Sequence, residues 1–431
     1  MRLQFSLLML LLLSACGGVE QDPVLEGTRT NVLGTETTLE PDATAANSAM
    51  QLPKAVENKN WPQILGRPDH AVGHISLPAN VKRAWTTSVG NFHGHALTAP
   101  VSDAGRLFVL DSRHQVTALA TQTGDELWQT KVQLTAEKGD ASFPGGLAVA
   151  GNYLFVTTSA GQVFALTADK GEQVWMADVS APLRAAPVQA GAYLFIVSHD
   201  NRLFALDVKT GGIVWTHSGI SENLSLSLGG AAAVGEGAVA VPYTSGDVYV
   251  LRAADGQYAW HTSLTRVSDR LKNGVQSVAA APVIDQGQLF AVNVGGTLAA
   301  FDLFTSRRLW RASIASSQTP WVAGNTVFVL AEDGKLLALN RADGAIRWIS
   351  TLADYIPEDD KATSRYWSGP ILAGERLIVA SSDGYAMSLD PLEGSKILAT
   401  RLVDDGVSVA PIVVDNTLYF LTDGGDVVAF R

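Results

Sequence analysis

The sequence has 431 residues and one cysteine, Cys16, so no disulfide can form within the chain. Charge is also sparse. Asp, Glu, Lys and Arg make up 17% of the residues, and the acidic excess gives a formal net charge of −11. With no basic cluster along the chain, that excess excludes a non-specific nucleic-acid binder, which needs a cationic face against phosphate. Long hydrophobic runs are missing too. The apolar stretch at 3–13 is about half the ~20 residues that a membrane-spanning helix requires. No serine or histidine sits in a nucleophile-elbow context, and no glycine pair carries the lysine offset of a phosphate loop. What the chain has in plenty is apolar residues (47%) and glycine (40), the composition of a core-building, turn-rich fold.

It also repeats itself. LFALDVKTGGIVW at 203–215 joins an alternating apolar strand, a Thr-Gly turn and a terminal tryptophan. VTALATQTGDELW (116–128), VFALTADKGEQVW (163–175) and VYVLRAADGQYAW (248–260) repeat the unit closely. LAAFDLFTSRRLW (298–310), LLALNRADGAIRW (336–348) and AMSLDPLEGSKIL (386–398) repeat it more loosely. Aligned on the last position, Trp128, Trp175, Trp215, Trp260, Trp310, Trp348 and Leu398 follow one another at the ~40–50-residue period of a four-stranded propeller blade. Each copy carries two further strand signals. One is proline-led, as in APV at 99–101 and API at 410–412; the other is β-rich, as in RLFVL at 106–110 and TLYFL at 417–421.

The blade number follows from the apolar dipeptide of the third strand. It occurs at Ala118-Leu119, Ala165-Leu166, Ala205-Leu206, Val250-Leu251, Ala300-Phe301, Ala338-Leu339, Ser388-Leu389 and Ala429-Phe430. The chain stops at Arg431, before a tryptophan strand can follow the last copy. KRAWTTSV at 82–89 is such a strand without a third strand ahead of it. The two ends therefore complete one blade between them. The expected fold is all-β: an eight-bladed β-propeller of four-stranded antiparallel blades over 60–431, with the N-terminal strand paired to the C-terminal blade so that the ring closes. Turn glycines at 124, 171, 211, 256, 344 and 394 are expected at positive φ. Trp85, Trp128, Trp175, Trp215, Trp260, Trp310 and Trp348 are expected to bury their rings against neighbouring blades.

Ahead of the propeller, residues 1–15 read as a signal peptide: a basic Met1-Arg2, a short apolar core, then Ser14-Ala15. Residues 17–59 show no apolar period and read as a flexible tether, with order expected from near Trp61. LSAC at 13–16 resembles the bacterial lipobox. That resemblance implies lipid modification of Cys16 at the head of a 16–59 segment, and several acyl chains anchor a protein durably. Gly17-Gly18 after the cysteine implies the outer membrane.

The pattern A-L-D-x-x-T-G-x-x-x-W at 205–215 resembles the pyrroloquinoline-quinone-type propeller repeat. Quinoprotein dehydrogenases and the BamB family of outer-membrane assembly lipoproteins share it. The dehydrogenases stack their quinone on a vicinal cysteine pair, which a chain with one cysteine cannot supply, and CxxCH is absent. QTPWVAG (318–324), VPYTSGDVYVLRAADG (241–256) and WSGPILAGERLIV (367–379) are similar to BamB-type proteins, those of α-proteobacteria in particular. The resemblance implies a non-enzymatic, cofactor-free scaffold, lipid-anchored at the periplasmic face of the outer membrane. Its implied partners are BamA and other assembly subunits, with outer-membrane proteins as clients. A quinone-dependent periplasmic oxidoreductase, or a propeller lipoprotein for another envelope partner, are the alternatives.

The long segments GNFHGHALT (90–98), QLTAEKGDASFPGG (133–146), GISENLSLSLGG (219–230), TRVSDRLKNGVQSVAA (265–280) and ADYIPEDDKATSRYW (353–367) all link a fourth strand to the next blade's first strand. Such links share one face, which marks it as the working surface. Leu224, Leu226 and Leu228 alternate with polar residues in one link, and Arg266, Asp269 and Arg270 stand in the next. The family resemblance assigns both links to the grip on BamA. Leu226 and Leu228 match the family's L-S-L-R-G, whereas Gly229 replaces its arginine. Asn273-Gly274-Val275 replace the aspartates that follow its D-R-L. His93 and His95 have metal-compatible spacing without an evident third ligand, and Glu358-Asp359-Asp360 lack the alternation of a calcium loop. No metal site is expected.

Overall fold

Four short apolar runs per repeat fold as four-stranded antiparallel sheets, and eight such sheets stand around one axis. The computed structural model describes residues 39–90, 97–134, 145–183, 185–220, 229–265, 277–356, 365–401 and 405–431. These residues contain 32 strands in eight sheets of four. Blades 1 to 7 follow chain order, from β2 (Val101–Asp103) to β5 (Glu126–Lys131) in blade 1 through β26 (Trp367–Ala373) to β29 (Lys396–Arg401) in blade 7. Blade 8 joins β30 (Ile412–Val414), β31 (Thr417–Leu421) and β32 (Asp426–Phe430) to β1 (Arg83–Ser88). In that closure β1 runs antiparallel to β32, with Thr86 opposite Val428 and Trp85 opposite Ala429.

The burial of each strand follows from its place in the stack. The second strand of blade 1, β3 (Arg106–Leu110), has Leu107 to Leu110 all buried, because neighbouring blades cover both faces of the sheet. Continuous apolar runs such as RLFVL are the sequence record of that double cover. The fourth strand, β5 (Glu126–Lys131), is mostly exposed and faces solvent at the rim.

Each repeat tryptophan reaches forward to the next blade. Trp85 Nε1 donates to Thr121 O at 3.2 Å, Trp128 to Ala168 O at 3.2 Å and Trp175 to Val208 O at 3.1 Å. Trp260 donates to Leu303 O at 2.8 Å, Trp310 to Arg341 O at 2.7 Å and Trp348 to Pro391 O at 3.0 Å. The ring lies on the turn glycine of that blade, except for Trp260, whose next blade has Ser306 at the turn. Gly124 has φ +75°, and a Cβ there would stand 2.5 Å from Trp85 Cε3. The glycine is thus required twice, by backbone conformation and by the close approach of the indole. Trp215 is the exception, since its ring covers Gly256 while its buried Nε1 has no partner.

Order begins earlier than Trp61, which corrects the expected tether. Asp42 caps a four-residue helix, α1 (Ala43–Ala46), and its N–H donates to Ile346 O at 2.8 Å. Arg347 donates to Ser48 O at 3.0 Å, and Gln51 N donates to Asn325 Oδ1 at 2.8 Å. These are polar, largely backbone contacts to blade 6. They leave no apolar period in the sequence, so a periodicity reading takes the segment for a tether.

From Asn58 the chain runs beneath the axis as a girdle, bonding every blade in turn. Asn58 O accepts from Asp415 N (blade 8), Trp61 exchanges two bonds with Ser102 (blade 1), and Pro62 O accepts from Val149 N (blade 2). Gln63 Oε1 accepts from Gln189 N at 2.8 Å in blade 3. Pro68 O accepts from Val234 N (blade 4) and Asp69 O from Ile284 N (blade 5). Gly73 O accepts from Trp321 Nε1 at 2.7 Å in blade 6, and Ile75 N donates to Leu372 O at 3.1 Å in blade 7.

Candidate functional site

Antiparallel strands fix which features share an end of the propeller. The glycine turns and first hairpins of all blades lie at one end, with the girdle. The links from fourth strand to next first strand lie at the other. Link 219–230 joins β13 (Ile213–Ser218) to β14 (Ala233–Gly235), and link 265–280 joins β17 (Tyr258–Ser263) to β18 (Val283–Asp285). Leu224, Leu226, Leu228, Arg266, Asp269 and Arg270 lie outside the described residues, as do Cys16, His93, His95 and Glu358 to Asp360.

The bases of both links are described, and they are firmly held. Buried Asn201 takes Gly219 N on its carbonyl at 2.8 Å and donates through Nδ2 to Ile220 O at 2.6 Å and to Thr244 Oγ1 at 2.8 Å. Beside it, two histidines and three tyrosines join the rims of blades 3 and 4. His217 Nδ1 pairs with Tyr243 OH at 2.9 Å, and His261 Nδ1 pairs with Tyr258 OH at 2.9 Å. The Tyr249 ring packs 5.0 Å from His217 and stacks 4.8 Å from His261. Burial holds the His217 imidazole below its usual pKa, favouring the neutral ring that this packing requires. The sequence carried a signal for this cluster. Two positions after the tryptophan stands Thr in blades 1, 4 and 8, whereas blade 3 has His217.

On the same face the axis opens as a cavity of about 230 Å³. All eight blades wall it with the residues leading into their first strands, among them Leu97, Leu147, Ala186, Ala231, Ala280 and Ile371. Trp61, Ile64 and Leu65 of the girdle form its floor. Both of its threonines are occupied: Thr98 Oγ1 donates to Gly145 O at 2.6 Å, and Thr319 Oγ1 accepts from Ala281 N at 3.1 Å, whereas the buried Trp61 Nε1 has no partner. Among the described residues, no charged side chain lines it.

That lining does not fit a quinone and a calcium ion. Calcium takes 6–8 oxygen ligands, usually with carboxylates among them. An acidic quinone needs cations, and the described wall offers neither. No cluster of three His, Cys, Asp or Glu able to hold a metal occurs among the described residues.

The family model for outer membrane protein assembly factor BamB matches residues 75–138 and 135–350. The chain is 30% identical to outer membrane protein assembly factor BamB of Salmonella typhimurium over 357 residues, which span 80% of this chain and 87% of that protein. Among solved structures, BamB from Moraxella catarrhalis superposes with a TM-score of 0.69 at 18% identity, covering 82% of this chain and 100% of that one. The quinohemoprotein alcohol dehydrogenase of Comamonas testosteroni gives a TM-score of 0.67 at 15% identity, covering 87% and 81%. At such identities the two superpositions show a shared propeller and no more.

Proposed function

The chain belongs to the family of the outer membrane protein assembly factor BamB, and on that premise we propose that it is a non-enzymatic scaffold of the outer-membrane β-barrel assembly machinery. It is held at the periplasmic face of the outer membrane by lipid on Cys16. It grips BamA through the links 219–230 and 265–280, with Leu224, Leu226, Leu228, Arg266, Asp269 and Arg270 as contacts, and so assists insertion of outer-membrane proteins. The observation that carries the reading is the division of labour between the two ends of the axis. One end is tied shut by the girdle. The other bears the long links on a rigid base set by Asn201 and the His217–Tyr249–His261 stack. The axial cavity supports a scaffold over an oxidoreductase, because its described lining residues offer no acid, base or charged ligand for the dehydrogenase chemistry.

Replacing Leu226 and Leu228 together by alanine tests this. Interface leucines at a hot spot cost ~2 kcal/mol each, so BamA affinity should fall at least ~30-fold while the melting temperature holds. A lowered melting temperature with intact binding would make these leucines packing residues and refute the assignment.

A further inference from the structure

A second cavity, of about 310 Å³, opens between blades 6 and 7. Glu332, just after β23 (Thr326–Leu330), forms one wall, and Arg365, Tyr366 and Trp367 at the start of β26 (Trp367–Ala373) form the other. Ser317, Gln318 and Ser408 line both this cavity and the axial one, so the two make a continuous trough.

Among the described residues that line it, the net charge left after ion pairing has one sign. Arg365 is engaged internally, paired with Asp383 and held 5.6 Å over the Tyr385 ring, so that ion pair is neutral as a unit. Nearby Asp333 and Lys335 also pair, at 2.6 Å. Glu332 is exposed and accepts a hydrogen bond from Ser317 N, which fixes its carboxylate at the rim without neutralising it. Tyr366, 69% exposed, and the less exposed Trp367 line the same cavity. A carboxylate next to exposed aromatic faces attracts a cationic side chain by charge and by cation–π contact. The adjoining axial cavity, apolar and uncharged, suits an aliphatic or aromatic one.

We propose that this trough binds an extended polypeptide segment in which a lysine or arginine stands beside an apolar residue. The cation meets Glu332, Tyr366 and Trp367, and the apolar side chain enters the axial cavity. The net charge of −11 favours the approach of such a segment. Its cation-binding end lies between blades 6 and 7, whereas the links 219–230 and 265–280 join blades 3, 4 and 5.

Calorimetric titration of the full chain with a capped hexapeptide of alternating leucine and arginine reads this directly. The arginine peptide binds, more weakly as salt rises, and its citrulline and glutamate counterparts bind at least about tenfold more weakly. Glu332→Gln keeps an acceptor for Ser317 N but removes the charge, and Tyr366→Ala removes an exposed ring. Each lowers arginine-peptide affinity about tenfold, whereas the Leu226/Leu228 double variant leaves it unchanged. Absent heat, equal affinity for the citrulline peptide, or unchanged binding in either variant overturns the proposal. If Glu332→Gln fails to melt like the parent, Tyr366→Ala decides alone.

Discussion

The two ends of the propeller axis are built by opposite rules. At the girdle end a short segment hydrogen-bonds to every blade, and its Trp61 and Ile75 are almost wholly buried. At the link end the axis is open, its wall is made of small uncharged residues, and the long links spring from held bases. The contrast teaches that closure here takes two devices. The β1–β32 pairing joins the chain ends at the rim, and the girdle ties the blades together at the centre.

Cutting the girdle should have the largest effect. Its eight blade contacts, at about 1 kcal/mol per hydrogen bond plus the burial of Trp61 and Ile75, are worth on the order of 10 kcal/mol. That rivals the ~5–15 kcal/mol that holds a typical domain folded. A chain lacking 39–77 should therefore fail to give a monomeric product in size-exclusion chromatography. A chain lacking 17–38 retains every contact described here and should melt with the parent.

The turn glycines separate backbone strain from collision. Gly124 and Gly151 both have positive φ, at +75° and +58°, but only at Gly124 would a Cβ meet an indole. Gly124→Ala should cost about 3 kcal/mol or more, and Gly151→Ala about 1 kcal/mol, in chemical denaturation.

Much of this was legible in the sequence, and the reasons are physical. Strands buried on both faces leave continuous apolar runs, and six of the seven repeat indoles have a turn glycine under them, so blade count and closure through Trp85 could be read directly. The girdle could not. Its partners are mostly backbone groups far away in sequence, and even where a side chain donates, as Trp321 Nε1 does to Gly73 O, the carbonyl acceptor has no residue-type signature. The axial cavity was equally hidden, because its wall is assembled from a few residues of each of eight separate blades. The links proposed for the partner were singled out by length and family resemblance, while the His217–Tyr249–His261 stack became visible only once blades 3 and 4 were placed side by side.

The girdle end should also be the acid-sensitive one. His70 is fully buried, its Nδ1 lies 2.7 Å from Pro282 O and its Nε2 has no partner. Burial lowers its pKa to about 4, against which Asp69 works only weakly. The unfolded chain takes up this proton near pH 6.5 and the folded one only near 4, so stability present at neutral pH is lost as pH falls through that window. The loss from this residue amounts to about 3 kcal/mol by pH 4. His70→Gln should flatten the fall in urea midpoint between pH 7 and pH 4; an unchanged slope would clear His70 of the effect.

The smallest expected difference concerns two tryptophans. Trp128→Phe removes a hydrogen bond to Ala168 O and should cost about 1 kcal/mol more than Trp215→Phe, whose indole N–H has no partner to lose. Paired urea melts resolve the difference.

Hydrogen–deuterium exchange with and without BamA tests the central claim, that the link end works while the girdle end only holds. The account predicts slowed exchange in 219–230 and 265–280 on complex formation, with 58–75 unchanged. Protection of 58–75, or none at the link end, would contradict it.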